Sequence, residues 1–239
     1  MAKKATKALS SAAFPNLVEN AFDEMVQTYK GFFFNSFCPA IPNSDGKVSF
    51  AERNLTFNFC SSYLQNAGVR NGNEIFVWQK LDIKMGKSRG HIDSMILDLR
   101  EDVNSIVFIE AKRITNLSTK GKSKIDSLKE DMDRLCHLDI PELSTLEPKW
   151  NIPACLENLI SNYQPDIYIL ALVDYWEWSS GKGTVAQSER EEFENCAKRS
   201  FTPVGSVSSK KGNYYLNFCL ENLNNQSGKC CCSSQPKIQ

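Results

Sequence analysis

The apolar positions of this chain change period several times, and each change marks an element. Leu17, Val18, Ala21, Phe22, Met25, Val26 and Tyr29 recur at the three- and four-residue spacing of an amphipathic helix. The pattern predicts that helix over 14–34, with Asn16 as its N-cap. Pro39, Pro42 and Asp45-Gly46 then mark a loop over 35–47. A second helix is predicted from about Phe50 to Asn66, capped by Ser49 and stopped by Gly68, with Leu55, Phe59 and Tyr63 inward and Phe57 and Leu64 flanking them. Strands follow at Glu74–Leu81, with Trp78 in the core, at His91–Leu99 and at Ser105–Ala111. A charged helix is predicted over 121–137 from Ile125, Leu128, Met132 and Leu135. A short helix at 154–163, an apolar central strand at Asp166–Tyr175, a charged helix at Gln187–Arg199 and a last strand at Tyr214–Leu220 complete the series. The middle strands are nearly continuous in apolar residues, which implies a sheet covered by helices on both faces, an α/β fold.

Length and composition limit the picture further. The chain of 239 residues suits one large domain over 14–223, with a basic N-terminus at 1–13 and a polar tail at 224–239 expected to be flexible. No run is long enough to span a bilayer, and MAKKATKALSSAAF lacks an apolar signal core, so no membrane association and a cytoplasmic location are expected. Of nine cysteines, Cys38, Cys60, Cys136, Cys155, Cys196 and Cys219 stand singly in apolar contexts and read as buried thiols, whereas Cys230–Cys232 are consecutive in the tail. Only two histidines and no CxxC pair argue against a zinc centre. The formal net charge of zero gives no global attraction to nucleic acid, so such binding would need a local patch.

The candidate chemistry lies in GHIDSMILDLREDVNSIVFIEAKR, residues 90–113. Asp93, Glu110 and Lys112 are charges set into strands that otherwise read as buried. If Glu101-Asp102 form a two-residue turn, Asp93 falls opposite Glu110; with a four-residue turn it falls opposite Lys112. Both registers place all three side chains on one face, and a three-residue turn would send Asp93 to the other. Two carboxylates converging at the end of a buried sheet repel unless a cation neutralises them, and oxygen ligands suit Mg²⁺ or Mn²⁺ better than zinc.

Asp93 followed by Glu110-Ala111-Lys112 at the end of the next strand resembles the D…ExK motif of the PD-(D/E)XK nucleases. The order helix, three strands, helix, strand over about 50–176 is similar to that family's core. Ile92 stands where the family name puts proline. The resemblance implies a restriction-endonuclease-like fold, a central mixed sheet flanked by helices on both faces. It also implies a metal-dependent deoxyribonuclease that hydrolyses phosphodiester bonds. Asp93 and Glu110 would hold Mg²⁺, or Mn²⁺ as a substitute, with the Ala111 carbonyl as a third oxygen, and Lys112 would act on the attacking water. Glu52, in the first turn of the second helix, would be a further acidic residue at the metal; otherwise it is a carboxylate on the helix dipole, stabilising by roughly 0.3–1 kcal/mol. Enzymes that cut both strands of a duplex often act as homodimers.

Candidate DNA contacts lie in two basic segments. Lys84, Lys87 and Arg89 occupy a loop that feeds the Asp93 strand. Arg113, Lys120, Lys122 and Lys124 follow ExK directly. For each lysine or arginine a solvated surface is the alternative. His91, two residues before Asp93, is either a general acid or substrate contact, or structural. Trp176 and Trp178 either pack at the domain edge or stack on bases. Two other functions compete with the nuclease: a non-catalytic nucleic-acid-binding protein on the same fold, and a partner-binding α/β domain in which Asp93, Glu110 and Lys112 form an ion-paired cluster.

Overall fold

A computed structural model describes residues 2–34, 52–68, 74–85, 88–116, 124–136, 158–159, 161–179, 184–207 and 212–223, with the side chains at 2–13, 52–53, 82–85, 88–90, 136 and 184–185 outside the description. Helices α1 (Ala2–Phe34) and α2 (Glu52–Asn66) precede strands β1 (Ile75–Met85), β2 (Ser88–Asp98) and β3 (Ser105–Thr115). Helix α3 (Lys124–Cys136) leads into β4 (Asp166–Trp178), and α4 (Thr184–Ala197) into β5 (Thr202–Val207) and β6 (Gly212–Asn222). The strands form one mixed sheet in the order β1-β2-β3-β4-β6-β5, in which β3 and β4 run parallel and every other pair antiparallel.

Strand alternation gives the sheet two differently dressed faces. Val107, Ile109 and Ala111 of β3 join Leu170, Leu172 and Trp176 of β4 beneath α1 and α2, where Phe22, Met25, Phe59 and Tyr63 complete the core. Ile106 and Phe108 join Ile169, Ala171 and Val173 beneath α3 and α4, against Leu128, Met132 and Phe193. Helices therefore cover both faces, as the continuous apolar strands require. Among the described residues no helix is long and apolar enough to cross a membrane.

Three elements differ from the sequence reading. Helix α1 starts at Ala2 and passes through Pro15, where the periodicity alone starts it at 14. The added turns have little apolar pattern, but Ala5, Ala8, Ala12 and Ala13 have high intrinsic helix propensity. Strand β5 has no counterpart among the predicted elements, since Pro203 and Gly205 interrupt any alternation there, and the ladder shifts register between those two residues. Gly205 is required there: a Cβ would stand 2.3 Å from Cγ of Phe33, so α1 can lie against β5 only over a bare backbone. Third, Lys84 and Arg89, expected in a loop feeding the Asp93 strand, belong to the strands β1 and β2 themselves. Lys84 pairs with Arg89 across the ends of the β1–β2 hairpin.

The β2–β3 turn takes the two-residue register. Asp98 pairs with Ser105, and the Val103 and Asn104 N–H groups both donate to the Arg100 carbonyl, at 3.0 and 2.8 Å. Asn104 takes the left-handed conformation that closes the turn, with φ 41°. Asp98, fully buried, is held by Tyr63 Oη at 2.7 Å and by both Nε and Nη2 of Arg100, and Arg100 also donates to the Ala67 carbonyl at 2.9 Å. This pins the end of α2 to the hairpin and fixes the phase of everything upstream on β2.

Candidate active site

With the turn fixed, the register that pairs Ser94 with Ile109 runs on to set Asp93 against Glu110, but the ladder stops at Ser94. On the other side of β2 the ladder to β1 also skips one pair, between Gln79–Ser94 and Leu81–Ile92. The skipped residues are Lys80 and Asp93, and Lys80 has φ 57°. A non-glycine residue there reverses the local pleat, so both β2 neighbours part from it at the same residue. Ser94 clamps the near side of the break. Its hydroxyl donates to the Trp78 carbonyl at 3.0 Å, accepts from Gln79 Nε2 at 2.9 Å and lies 3.3 Å from Cys60 Sγ on α2.

Released from the ladder, the Asp93 carboxylate replaces the missing backbone partner: Oδ2 accepts the Ala111 N–H at 2.9 Å. Glu110, only 4% exposed, stands within hydrogen-bonding reach of Asp93. Burial, and after it the charge of Asp93, push the Glu110 carboxyl up to about 8, while Lys112 and Arg134 pull the other way. Glu110 and Lys112 share the α3 face of the sheet, as the alternation predicts. Lys112 is held by α3: its Nζ lies 2.8 Å from Asp131 Oδ2, and Arg134 pairs with the other oxygen of Asp131. Asp131 escaped the sequence reading. The signal was its position three residues after Leu128 and four before Leu135, which turns it toward the sheet between two core residues.

A hard divalent cation fits the donor set. Buried Glu110 stands beside partly exposed Asp93, where desolvation and the neighbouring charge disfavour its ionised form unless a cation offsets them. In an extended strand a residue's N–H and C=O point to the same edge, so the Ala111 carbonyl faces Asp93 as its N–H does. Among the described residues no third histidine, cysteine, aspartate or glutamate joins them. Mg²⁺ commonly uses one or two carboxylates and completes its shell with water, so the set matches that ion better than one needing a full protein cage. Glu52 opens α2 on the face opposite Glu110, and its side chain lies outside the described residues.

The basic candidates fare differently. Arg113 is no free contact: it turns to the α1 face, where Nε and Nη2 grip fully buried Asp174 at 2.9 and 2.5 Å and Tyr214 Oη donates to the same carboxylate at 3.0 Å. Lys129 pairs with Glu192 of α4. Lys124 is exposed at the start of α3, its N–H bound by Glu189 at 2.5 Å. His91 is exposed and paired in register with Asp82. Lys87, Lys120 and Lys122 lie outside the described residues, as do the side chains of Lys84 and Arg89. Trp176 and Trp178 are buried and stacked at 4.8 Å, which makes them core and not a surface for bases. Trp78, expected in the core, is 42% exposed.

Comparison with protein-family models, curated proteins and solved structures finds no match for this chain.

Proposed function

We propose that this chain is a metal-dependent phosphodiesterase acting on DNA, with a restriction-endonuclease-like core formed by α2, β1–β3, α3 and β4. One observation carries the reading: a buried glutamate beside an aspartate at the point where the pairing of β2 is interrupted on both sides, with a lysine two residues on. A fold gains nothing from burying a glutamate against a second carboxylate, whereas a cation site accounts for the pair. Asp93 and Glu110 would hold Mg²⁺ with the Ala111 carbonyl. When bound, the cation supplies Lewis-acid polarisation of a phosphate oxygen. Lys112, steered by Asp131, presents an ammonium to the non-bridging oxygens, where negative charge grows as the phosphodiester is attacked. The Ala111 N–H fixes the Asp93 oxygen that faces it, so the acidic corner is organised before substrate arrives.

The Lys112–Asp131 and Arg113–Asp174 pairs favour a second reading, in which the charges only brace a partner-binding domain. Nicking of supercoiled plasmid in Mg²⁺ or Mn²⁺ separates the two. The nuclease reading expects metal-dependent nicking that Lys112→Ala and Glu110→Ala each abolish. Absence of nicking together with absence of metal uptake selects the structural reading. Nicking that survives both substitutions removes these residues from the site.

A further inference from the structure

Strand β1 leaves two large apolar side chains in solvent, Phe76 at 47% and Trp78 at 42% exposure. It is an edge strand, where exposed aromatic surface invites unwanted pairing and is ordinarily avoided. Their placement relative to the carboxylates follows from the register. Trp78 pairs with Met95, and Met95 with Phe108, whose side chain shares the α3 face with Glu110. Trp78 therefore lies on the same face as Glu110 and Lys112, in the cross-strand row next to the Asp93–Glu110 row. One strand spacing and two residues of rise separate it from Asp93, about 8 Å between backbones. Lys80, exposed and at the kink, stands opposite Asp93 on β1, two residues on from Trp78.

We propose that Trp78, continued by Phe76, is a stacking platform for unpaired bases, and that the substrate class is single-stranded or locally unpaired DNA. This rests on the phosphodiesterase reading above. An indole face stacks on any base but only on one that is out of the duplex, so a platform beside the reacting phosphate selects for an open strand. The electrostatics agree. A duplex presents one negative charge per about 1.7 Å of axis and is held by a broad cationic surface. Here the formal net charge is zero, and among the described residues Arg113 and Lys129 are committed to Asp174 and Glu192. Such a surface is better matched to one strand held partly by stacking, with Lys80 placed to meet its backbone.

The test is fluorescence anisotropy of a labelled mixed-sequence oligonucleotide, single-stranded and as its duplex, in EDTA so that nothing is cut. Wild type, Trp78→Ala and Trp78→Phe are compared, with the mass of each protein measured by light scattering. The platform expects the single strand to bind more tightly than the duplex. Trp78→Ala weakens the single strand by about 5- to 100-fold and leaves the duplex unchanged, and Trp78→Phe stays within a few-fold of wild type. Equal single-strand affinity in Trp78→Ala overturns the proposal. So does tighter binding of duplex by wild type, or a dimer that Trp78→Ala splits, which would make the aromatic pair an interface between copies. Nicking in Mn²⁺ keeps the two ideas apart: Trp78-dependent binding with no nicking leaves the platform and removes the hydrolase, while nicking without Trp78-dependent binding does the reverse.

Discussion

Replacing Glu110 by glutamine tests the acidic corner through stability, without assuming any reaction. Below about pH 4.5 the carboxyl is protonated in the folded and unfolded chain alike and contributes no pH dependence. As pH rises from there, the unfolded chain releases the proton while the folded chain keeps it up to about 8. The unfolded state then binds fewer protons, so stability falls by about 1.4 kcal/mol per pH unit across this window and levels off above it. The full loss at pH 8 approaches roughly 3–5 kcal/mol, a large share of the 5–15 kcal/mol typical of a domain. Glu110→Gln keeps the shape and cannot ionise, so it should match wild type near pH 4.5 and exceed it increasingly toward pH 8. Urea unfolding at one-unit pH intervals, with the midpoint and slope fitted together, measures the difference. Adding Mn²⁺ at pH 8 should raise wild type toward the variant and leave the variant unmoved, because bound cation replaces the retained proton. Parallel stability curves for the two proteins from pH 5 to 9 would refute the reasoning, since they would mean that Glu110 ionises as freely in the fold as out of it.

The remaining predictions address the surroundings of that corner. Asp131→Asn releases Lys112 to pair with Glu110, so Mn²⁺ affinity by calorimetry should fall several-fold and recover in the Lys112→Met/Asp131→Asn double variant; the part-exposed ion pair itself contributes only about 1 kcal/mol to stability. Asp174→Ala strands Arg113 beneath α1 and should destabilise by about 3–5 kcal/mol in urea, and a midpoint near wild type would show that the pair is dispensable. Gly205→Ala drives a methyl into Phe33 and should lower stability by about 1–3 kcal/mol; an unchanged thermal midpoint would mean that α1 does not press on β5 as described.

Much of this was legible because turn and strand have fixed periods. The Glu101-Asp102 register predicts the observed pairing of Asp98 with Ser105, and alternation then places Glu110 and Lys112 together. What could not be read is where the ladder stops. No composition rule marks Lys80 as left-handed, yet that residue and its neighbour across β2 decide where the Asp93 carboxylate goes. The basic run after Glu110 misled for a related reason. Sequence gives the charges, but the partners Asp131, Asp174 and Glu192 come from α3, β4 and α4, 19 to 63 residues further on. An apolar strand reads alike at a sheet's centre and at its edge, so the pattern alone puts Trp78 in the core; only the strand order separates the two.

Residues 110 to 113 send alternate side chains to opposite sides of the central strand, Glu110 and Lys112 toward α3 and Arg113 toward Asp174. An insertion or deletion of one residue between the turn and Glu110 would exchange the two sets. It would drive two charges into the aromatic packing under α1 and leave Arg113 facing an acidic corner that no longer exists. Descendants of this chain can therefore trade residues along β3 one at a time, but they cannot change its length, and any relative should preserve the count from Asn104 to Lys112 even where little else survives.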